Sequence, residues 1–163
     1  LKMTNPKHLI LRTSWVASPH GKSFVNTILG LARTKKEISV IADQFGSPIS
    51  TNSLALNTIN LIKKYERSHE NFSSGTFHFS SKGPTTWYEY AKFIVNEGKK
   101  KSLELKLEAE NIIPINSLDY GNLAPRPPYS YLDCTLIEKT FDLSLPFWKD
   151  EISYIIDSVK TLD

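Results

Sequence analysis

The stretch HLILRTSWV, residues 8–16, decides the fold of this chain. Its first six residues are rich in leucine and isoleucine and follow an Asn-Pro pair, which predicts a buried strand. Trp15 follows this strand, and in open α/β sheets ligands bind beyond the carboxyl ends of the strands. An indole at that place offers a flat apolar wall with one N–H donor, which suits the hydrophobic face of a sugar ring. A core tryptophan is the alternative that this pattern leaves open.

Strand-like and helix-like segments alternate outward from this stretch. The alternation predicts an α/β fold in which at least some strands are parallel. A parallel strand that is buried on both faces needs neighbouring strands, and no complete βαβ unit precedes residue 8. The chain, residues 1–163, is therefore predicted to be the later part of a larger fold. Further strands are predicted for residues 38–42, 76–79 and 112–115, and helices for residues 22–33, 51–65, 87–99, 132–141 and 147–162.

Two of the predicted helices begin at residues suited to capping. Thr51 and Asn52 are predicted to cap the second helix, because their side-chain oxygens can accept hydrogen bonds from free backbone amides. Thr86 and Glu89 have the spacing of a capping box, in which two side chains satisfy each other's amides. Pro114 predicts an edge strand, since proline cannot donate a hydrogen bond to a strand ladder.

The composition excludes several classes of protein. The chain has 163 residues, 20 Lys+Arg, 17 Asp+Glu and a net charge of +3, which suits one globular domain. Its lysine clusters follow predicted helices, where cations complement the helix dipole, so no nucleic-acid partner is expected. No apolar run approaches the roughly 20 residues that span a bilayer, and no secretion leader is recognisable, so no membrane partner is expected. The lone Cys134 excludes an internal disulfide and predicts a reducing, cytoplasmic compartment.

Motifs for cofactors and metals are missing from this sequence. It contains no Gly-x-Gly-x-x-Gly run and no phosphate loop ending in Gly-Lys-Ser/Thr, so it has no dinucleotide-binding turn. The four histidines lack metal-ligand spacing, so no metal site is predicted. Tyr88 and Lys92 match the Tyr-x-x-x-Lys pair of short-chain dehydrogenases, but a pattern with two fixed positions often arises by chance. The two side chains are interpreted as packing partners one helical turn apart.

Two loops carry polar candidates for ligand binding. The run DQFGSP, residues 43–48, follows the second predicted strand and should open at the same sheet edge as the first strand does. Gln44 and Ser47 can hydrogen-bond a ligand there, although an ordinary Gly-Ser-Pro turn explains the run equally well. Arg126 lies in the proline-rich loop 122–131, and its guanidinium suits a diphosphate. An ordinary surface arginine is the alternative.

Taken in order, these segments resemble dTDP-4-dehydrorhamnose reductases, which are extended short-chain dehydrogenases/reductases. The resemblance covers nearly all of the chain and corresponds to the C-terminal part of that family's chain. The runs that carry it are HLILRTSWV (8–16), GKSFV (21–25), DQFGSP (43–48), TWYEYA (86–91), APRP (124–127), SYLD (130–133) and FDLSLPFW (141–148).

The resemblance implies the C-terminal part of an extended short-chain dehydrogenase Rossmann-type fold, with the last parallel strands and a small substrate-binding α/β lobe. It implies a reductase that uses NADPH (or NADH) to reduce the C4 ketone of dTDP-4-dehydro-L-rhamnose to dTDP-L-rhamnose. The family's cofactor glycines, catalytic threonine and Tyr-x-x-x-Lys pair lie upstream of Leu1. No catalytic or cofactor-binding residue is therefore expected in this chain, and these 163 residues alone are expected to be inactive.

The resemblance also implies substrate-binding residues. By the family pattern, Trp15 lines the sugar pocket. Gln44, Gly46 and Ser47, in the loop after the second strand, and Arg126 contact the nucleotide side of the dTDP-sugar.

Two positions depart from the family pattern. Ala17 and Ser18 follow Trp-Val where the family commonly has a tyrosine, so the pocket edge beside the nicotinamide is expected to differ. Asn52 stands where some members carry a glutamate that binds an interface magnesium. A magnesium-bridged dimer is therefore not expected, and a homodimer of another kind stays open. The alternatives are a sugar-nucleotide epimerase or dehydratase of the same superfamily, and a non-catalytic regulatory subunit with this fold.

Overall fold

The computed structural model describes residues 7–67, 72–121 and 126–160. Each predicted strand and helix is present, with bounds that differ by up to three residues where they can be compared. Residues 122–125 of the predicted extended loop and the predicted helix end at 161–162 lie outside the described residues. In chain order the elements are β1 (Leu9–Arg12), β2 (Val16–Ala17), α1 (Phe24–Thr34), β3 (Ile38–Ile41), β4 (Phe45–Gly46), β5 (Ile49–Ser50), α2 (Thr51–Arg67), β6 (Gly75–His78), β7 (Thr85–Thr86), α3 (Trp87–Lys100), a 3₁₀ turn (Ala109–Asn111), β8 (Ile112–Ile115), α4 (Thr135–Phe141) and α5 (Trp148–Lys160).

The strands pair mostly in parallel, which confirms the predicted α/β class. β1 pairs in parallel with β6, β2 with β5, and β3 with β8, whereas β4 and β7 are antiparallel. In the β1–β6 pair, Leu9 lies opposite Gly75, and the chain between the two strands contains helices α1 and α2 and four further strands. A connection of this length allows the two strands to pair in parallel, since parallel strands cannot be joined by a tight hairpin.

Two hydrophobic clusters divide the fold. The first is built mainly from the apolar faces of α1, α3 and α5, and it contains Ala17. The second lies between β6, α2 and α4, and it contains Ile49. Because Ala17 belongs to β2 and Ile49 to β5, the β2–β5 pair joins the two clusters. The chain immediately around Trp15 therefore lies where two packed units meet.

The starts of α2 and α3 depend on hydroxyl caps. The N–H of Glu89 donates to Thr86 Oγ1 at 3.1 Å, so Thr86 caps α3 as predicted. The predicted cap of α2 was wrong by one position. Thr51 already lies inside the helix, and the N–H of Ser53 donates to Ser50 Oγ at 2.9 Å, so Ser50 is the capping residue.

Tyr90 is a polar residue inside the first cluster. Its side chain is 1% exposed among the rings of Phe24, Trp87 and Trp148, and its hydroxyl has no hydrogen-bond partner among the described residues. Burial raises the pKa of this phenol, so the hydroxyl stays neutral. Tyr90→Phe should leave the free energy of unfolding unchanged or raise it by about 1 kcal/mol, because it removes a hydroxyl that costs desolvation. Denaturant unfolding measures this, and a fall of more than about 1 kcal/mol would contradict the expectation.

Candidate functional site

Trp15 lies at the carboxyl end of β1 in a stacked pair of indoles. Its backbone adopts a left-handed conformation, with φ at +50°, which is uncommon for a residue other than glycine. Its half-buried ring stacks on Trp87, with the ring centroids 3.6 Å apart and the planes 13° apart. Phe24 of α1 packs against Trp87 at 4.6 Å. The first strand and the starts of two helices thus bring three aromatic rings together.

Gly46 supplies the space in which the Trp15 ring lies. A Cβ atom at this position would come within 2.7 Å of Cδ2 and Cζ2 of the indole, closer than non-bonded atoms can approach. Gly46 is held there because it pairs with Thr85 in the antiparallel β4–β7 ladder, directly before Trp87. The arrangement gives Gly46 a steric role: it lets the backbone pass beside the indole.

A groove of about 360 Å³ opens beside these rings. Gln44 and Arg126 both line it, so the structure brings two of the predicted binding residues together. Trp15 is not among the described residues that line it; its stacking partner Trp87 is. The groove is lined by Phe24, Thr27, Ile28, Leu31, Ile38, Ser39, Val40, Ile41, Gln44, Trp87, Tyr120 and Arg126.

The Gln44 side of the groove is fixed by the residue before it. The carboxylate of Asp43 accepts hydrogen bonds from the backbone N–H of Ser117 at 3.0 Å and from its hydroxyl at 2.8 Å. The backbone and side-chain hydrogen bonds from Ser117 lower the pKa of Asp43. Asp43 is therefore a carboxylate at neutral pH, and it ties the end of β3 to the turn that follows β8.

The Arg126 side is fastened to β4. The N–H of Phe45 donates to Pro128 O, and the N–H of Ser130 donates to Phe45 O, both at 2.8 Å. Ser14 Oγ donates to Ser130 O at 3.1 Å, so the residue before Trp15 joins the same network. These bonds hold the chain just after Arg126 against both the DQFGSP loop and the end of β1.

Ser47 is not one of the residues that line the groove. It is fully buried, and its hydroxyl donates to Ser81 O at 2.8 Å. Ser80 Oγ returns a hydrogen bond to Ser47 O at 2.9 Å. The Ser47 side chain thus fastens its loop to residues 80–81, and its hydroxyl proton is already donated within the fold.

The Tyr88 and Lys92 pair packs as interpreted from the sequence. The Lys92 ammonium lies 5.2 Å from the centroid of the Tyr88 ring, a distance typical of a cation–π contact. Lys92 lines a separate hollow with Phe45 and Glu89, not the groove that contains Gln44 and Arg126. No group of three or more histidine, cysteine or acidic side chains in the described ranges is placed to hold a metal ion. Of the helices described, none has both the length and the apolar character that a bilayer crossing needs.

Sequence reasoning missed Trp87, Phe24 and Tyr120 as residues of the site. Trp87 was predicted only as the first residue of a helix, and Phe24 only as part of an apolar helix face. Nothing local in the sequence indicated that Trp87 would meet Trp15, because the contact depends on the β4–β7 pairing.

Comparisons with known proteins agree with this fold. The RmlD substrate binding domain family matches residues 1–161. The dTDP-4-dehydrorhamnose reductase of Salmonella typhimurium is 38% identical over 88% of this chain and 47% of its own length. The spore coat polysaccharide biosynthesis protein SpsK of Bacillus subtilis is 38% identical over 85% of this chain and 44% of its own length.

A solved structure of a similar protein has the same fold as this chain. The dTDP-4-dehydrorhamnose reductase of Bacillus anthracis, crystallised in complex with NADP, superimposes with a TM-score of 0.82 at 30% identity. The match covers 96% of this chain and 50% of that one. This chain therefore spans about half the length of the relatives it matches. It belongs to the RmlD substrate-binding domain family of extended short-chain dehydrogenases/reductases.

Proposed function

We propose that this chain supplies the sugar-nucleotide side of a reductase that converts dTDP-4-dehydro-L-rhamnose to dTDP-L-rhamnose with NADPH (or NADH). The observation that carries the proposal is one groove lined by Gln44, Arg126 and Trp87, with Trp15 stacked behind Trp87. The Salmonella typhimurium relative found by sequence and the Bacillus anthracis structure are both named dTDP-4-dehydrorhamnose reductase.

Each part of the groove suits one part of a dTDP-sugar. The exposed guanidinium of Arg126 can form two parallel hydrogen bonds to a diphosphate. Gln44 is 6% exposed and lines the groove, so its amide offers a donor and an acceptor in a largely dry setting. Trp87 and Phe24 provide the apolar surface that the hydrophobic face of a sugar ring requires, and Trp15 holds Trp87 in place by stacking on it. The role of this chain is therefore to bind and orient the substrate.

The redox step needs residues that this sequence does not contain. The nicotinamide cofactor would supply the hydride, and its binding turn and catalytic side chains are proposed to lie in the part of the protein upstream of Leu1. No magnesium role is proposed, because Asn52 stands where the family resemblance gives some members a glutamate ligand, and no cluster among the described residues suits a metal.

The surface of this chain supports attachment to such an upstream half. Helix α2 carries three large apolar side chains that are about half exposed: Leu56, Ile59 and Ile62. Next to it lies an apolar hollow of about 200 Å³, lined in part by Leu9 and Leu61. Within the described ranges β1 pairs with β6 alone. Parallel sheets normally have both faces covered by other parts of the protein. We propose that the upstream half covers this surface.

The charged side chains and the lone cysteine bear on nucleic-acid binding and on the compartment. The Lys99 ammonium pairs with Glu108, and the Lys101 ammonium lies 2.5 Å from Asp157, so part of the basic excess is neutralised within the fold. This supports the proposal of no nucleic-acid partner. A cytoplasmic location is proposed from the free Cys134, and a homodimer remains a prediction for gel filtration of the full-length protein.

Arg126→Ala tests the proposed binding role. In the full-length protein we expect about 10- to 100-fold weaker binding of dTDP-L-rhamnose by calorimetry, since a charge-assisted hydrogen bond contributes about 1.5–3 kcal/mol. Arg67→Ala, at the exposed end of α2, is the matched control and should bind like the parent protein. Unchanged affinity in Arg126→Ala would remove this residue from the site. The reductase proposal itself fails if the full-length protein does not oxidise NADPH in the presence of dTDP-4-dehydro-L-rhamnose.

A further inference from the structure

Glu151 is a buried carboxylate that the proposed function does not use. It lies in the first turn of α5 and is 8% exposed. Its Oε2 accepts a hydrogen bond from the N–H of Ser50 at 2.8 Å, and its Oε1 accepts one from Ser53 Oγ at 2.6 Å. A buried carboxylate is costly unless it is hydrogen-bonded, and a negative charge is favourable at a helix N-terminus. Glu151 therefore caps α2 from a helix that is about 100 residues away in the sequence.

The same bonds lead directly to Trp15. Ser50 is the last residue of β5, which pairs with β2, so Ser50 lies opposite Ala17 and Ile49 opposite Val16. The N–H of Ile49 donates to Trp15 O at 3.3 Å. Two hydrogen bonds thus connect Glu151 to the backbone of Trp15. The first joins Glu151 to Ser50, and the second joins Ile49, the neighbour of Ser50, to Trp15.

The backbone at Trp15 needs such support. Its φ of +50° is a conformation that costs energy in a residue with a Cβ and persists only where the surroundings hold it. The β2–β5 pair is only two residues long, so it has little stability of its own. A fixed anchor at Ser50 supplies the missing rigidity.

We propose that Glu151 is a positioning residue that holds the Trp15 indole on Trp87 through Ser50 and the β2–β5 pair. The position of the indole does not depend on the proposed function. Only the consequence rests on that function: the groove keeps its shape for a dTDP-sugar. A residue that merely stabilised α2 would lower the free energy of unfolding without moving the indole.

The experiment follows the stacked pair directly in the full-length protein. The readout is the exciton couplet of the two indoles in circular dichroism, defined as the part of the spectrum that Trp87→Phe removes. The second readout is the affinity for dTDP-L-rhamnose by calorimetry. The variants are Glu151→Ala, Glu151→Ala/Ser53→Glu and the exposed matched control Glu104→Ala. In the double variant, a glutamate three residues after Ser50 can accept from the Ser50 N–H as a capping box, without the connection to α5.

We expect Glu151→Ala to lose at least about half of the couplet and to bind dTDP-L-rhamnose about 10-fold more weakly, which corresponds to about 1.4 kcal/mol. The double variant should recover stability but neither the couplet nor the affinity. A full couplet in Glu151→Ala, or recovery of couplet and affinity in the double variant, would overturn the positioning role. If Glu151→Ala does not fold, Glu151→Asp keeps the charge but shortens the side chain, which lengthens or breaks its bond to the Ser50 N–H and must reduce the couplet; an unchanged couplet there contradicts the proposal equally. If the parent protein does not bind dTDP-L-rhamnose, the proposed function fails, while the couplet still decides the role of Glu151.

Discussion

Full-length protein carrying Gly46→Ala is expected to bind dTDP-L-rhamnose about 100-fold more weakly than the parent. The new methyl group would lie within 2.7 Å of three ring atoms of Trp15, so either the indole or the β4 backbone must move. Overpacking of this kind costs about 1–3 kcal/mol, and a cost of about 2.7 kcal/mol at the site is a factor of 100 in affinity. Gly46 has no positive φ, so the effect of the substitution is steric.

Gly30→Ala is the matched control for this substitution. Gly30 lies on the exposed side of α1, and a Cβ there would meet nothing within 4 Å. Alanine should raise the free energy of unfolding by up to about 1 kcal/mol, because glycine is a poor helix former, and the affinity should not change. If Gly46→Ala binds dTDP-L-rhamnose as tightly as Gly30→Ala does, the indole does not need the space that Gly46 leaves.

Trp15→Ala is expected to have the second large effect, a fall of about 100-fold in kcat/KM for dTDP-4-dehydro-L-rhamnose. The substitution removes one of the two stacked indoles and leaves Trp87 without its neighbour at 3.6 Å. Truncating a large aromatic side chain costs about 3–5 kcal/mol in a core and somewhat less at a half-buried site such as this one. Steady-state NADPH oxidation by the full-length protein measures the change.

Trp148→Phe separates the loss of a tryptophan from the loss of the site. Trp148 is 6% exposed and packs edge-on against Tyr90 and Phe93, and it does not line the groove of Gln44 and Arg126. Its substitution should lower the free energy of unfolding but leave kcat/KM near the parent value. Equal losses of kcat/KM in Trp15→Ala and Trp148→Phe would show that both act through stability alone.

The elements that could be predicted from the sequence are those with a local periodic signal. The apolar faces of α1 and α3 repeat at helical spacing, and β1 and β6 are short apolar runs between turn residues, so each was predicted near its observed bounds. The two-residue strands could not be predicted, because a strand so short has no periodicity. These strands, β2, β4, β5 and β7, form only by pairing with segments that lie far away in the chain.

The site was predictable to the same degree. The position of Trp15 at the end of a strand follows from the pattern of residues 8–16, but its contact with Trp87 depends on the β4–β7 pairing. Gln44 and Ser47 looked equivalent within their loop. Hydrogen bonds from distant segments turn Ser47 toward residue 81, and Gln44 lies on the groove. Side-chain direction in a loop is decided by such tertiary contacts, which the local sequence does not contain.

The groove beside the Trp15–Trp87 stack is proposed to bind a nucleotide-linked sugar. A crystal structure of the full-length protein with dTDP-L-rhamnose tests this proposal most directly. We predict the diphosphate within hydrogen-bond distance of the Arg126 guanidinium, and the rest of the dTDP-sugar in contact with Gln44 and with Trp87, on which Trp15 stacks. A dTDP-sugar bound elsewhere, with Arg126 and Gln44 untouched and the indoles remote from its rings, would contradict the account.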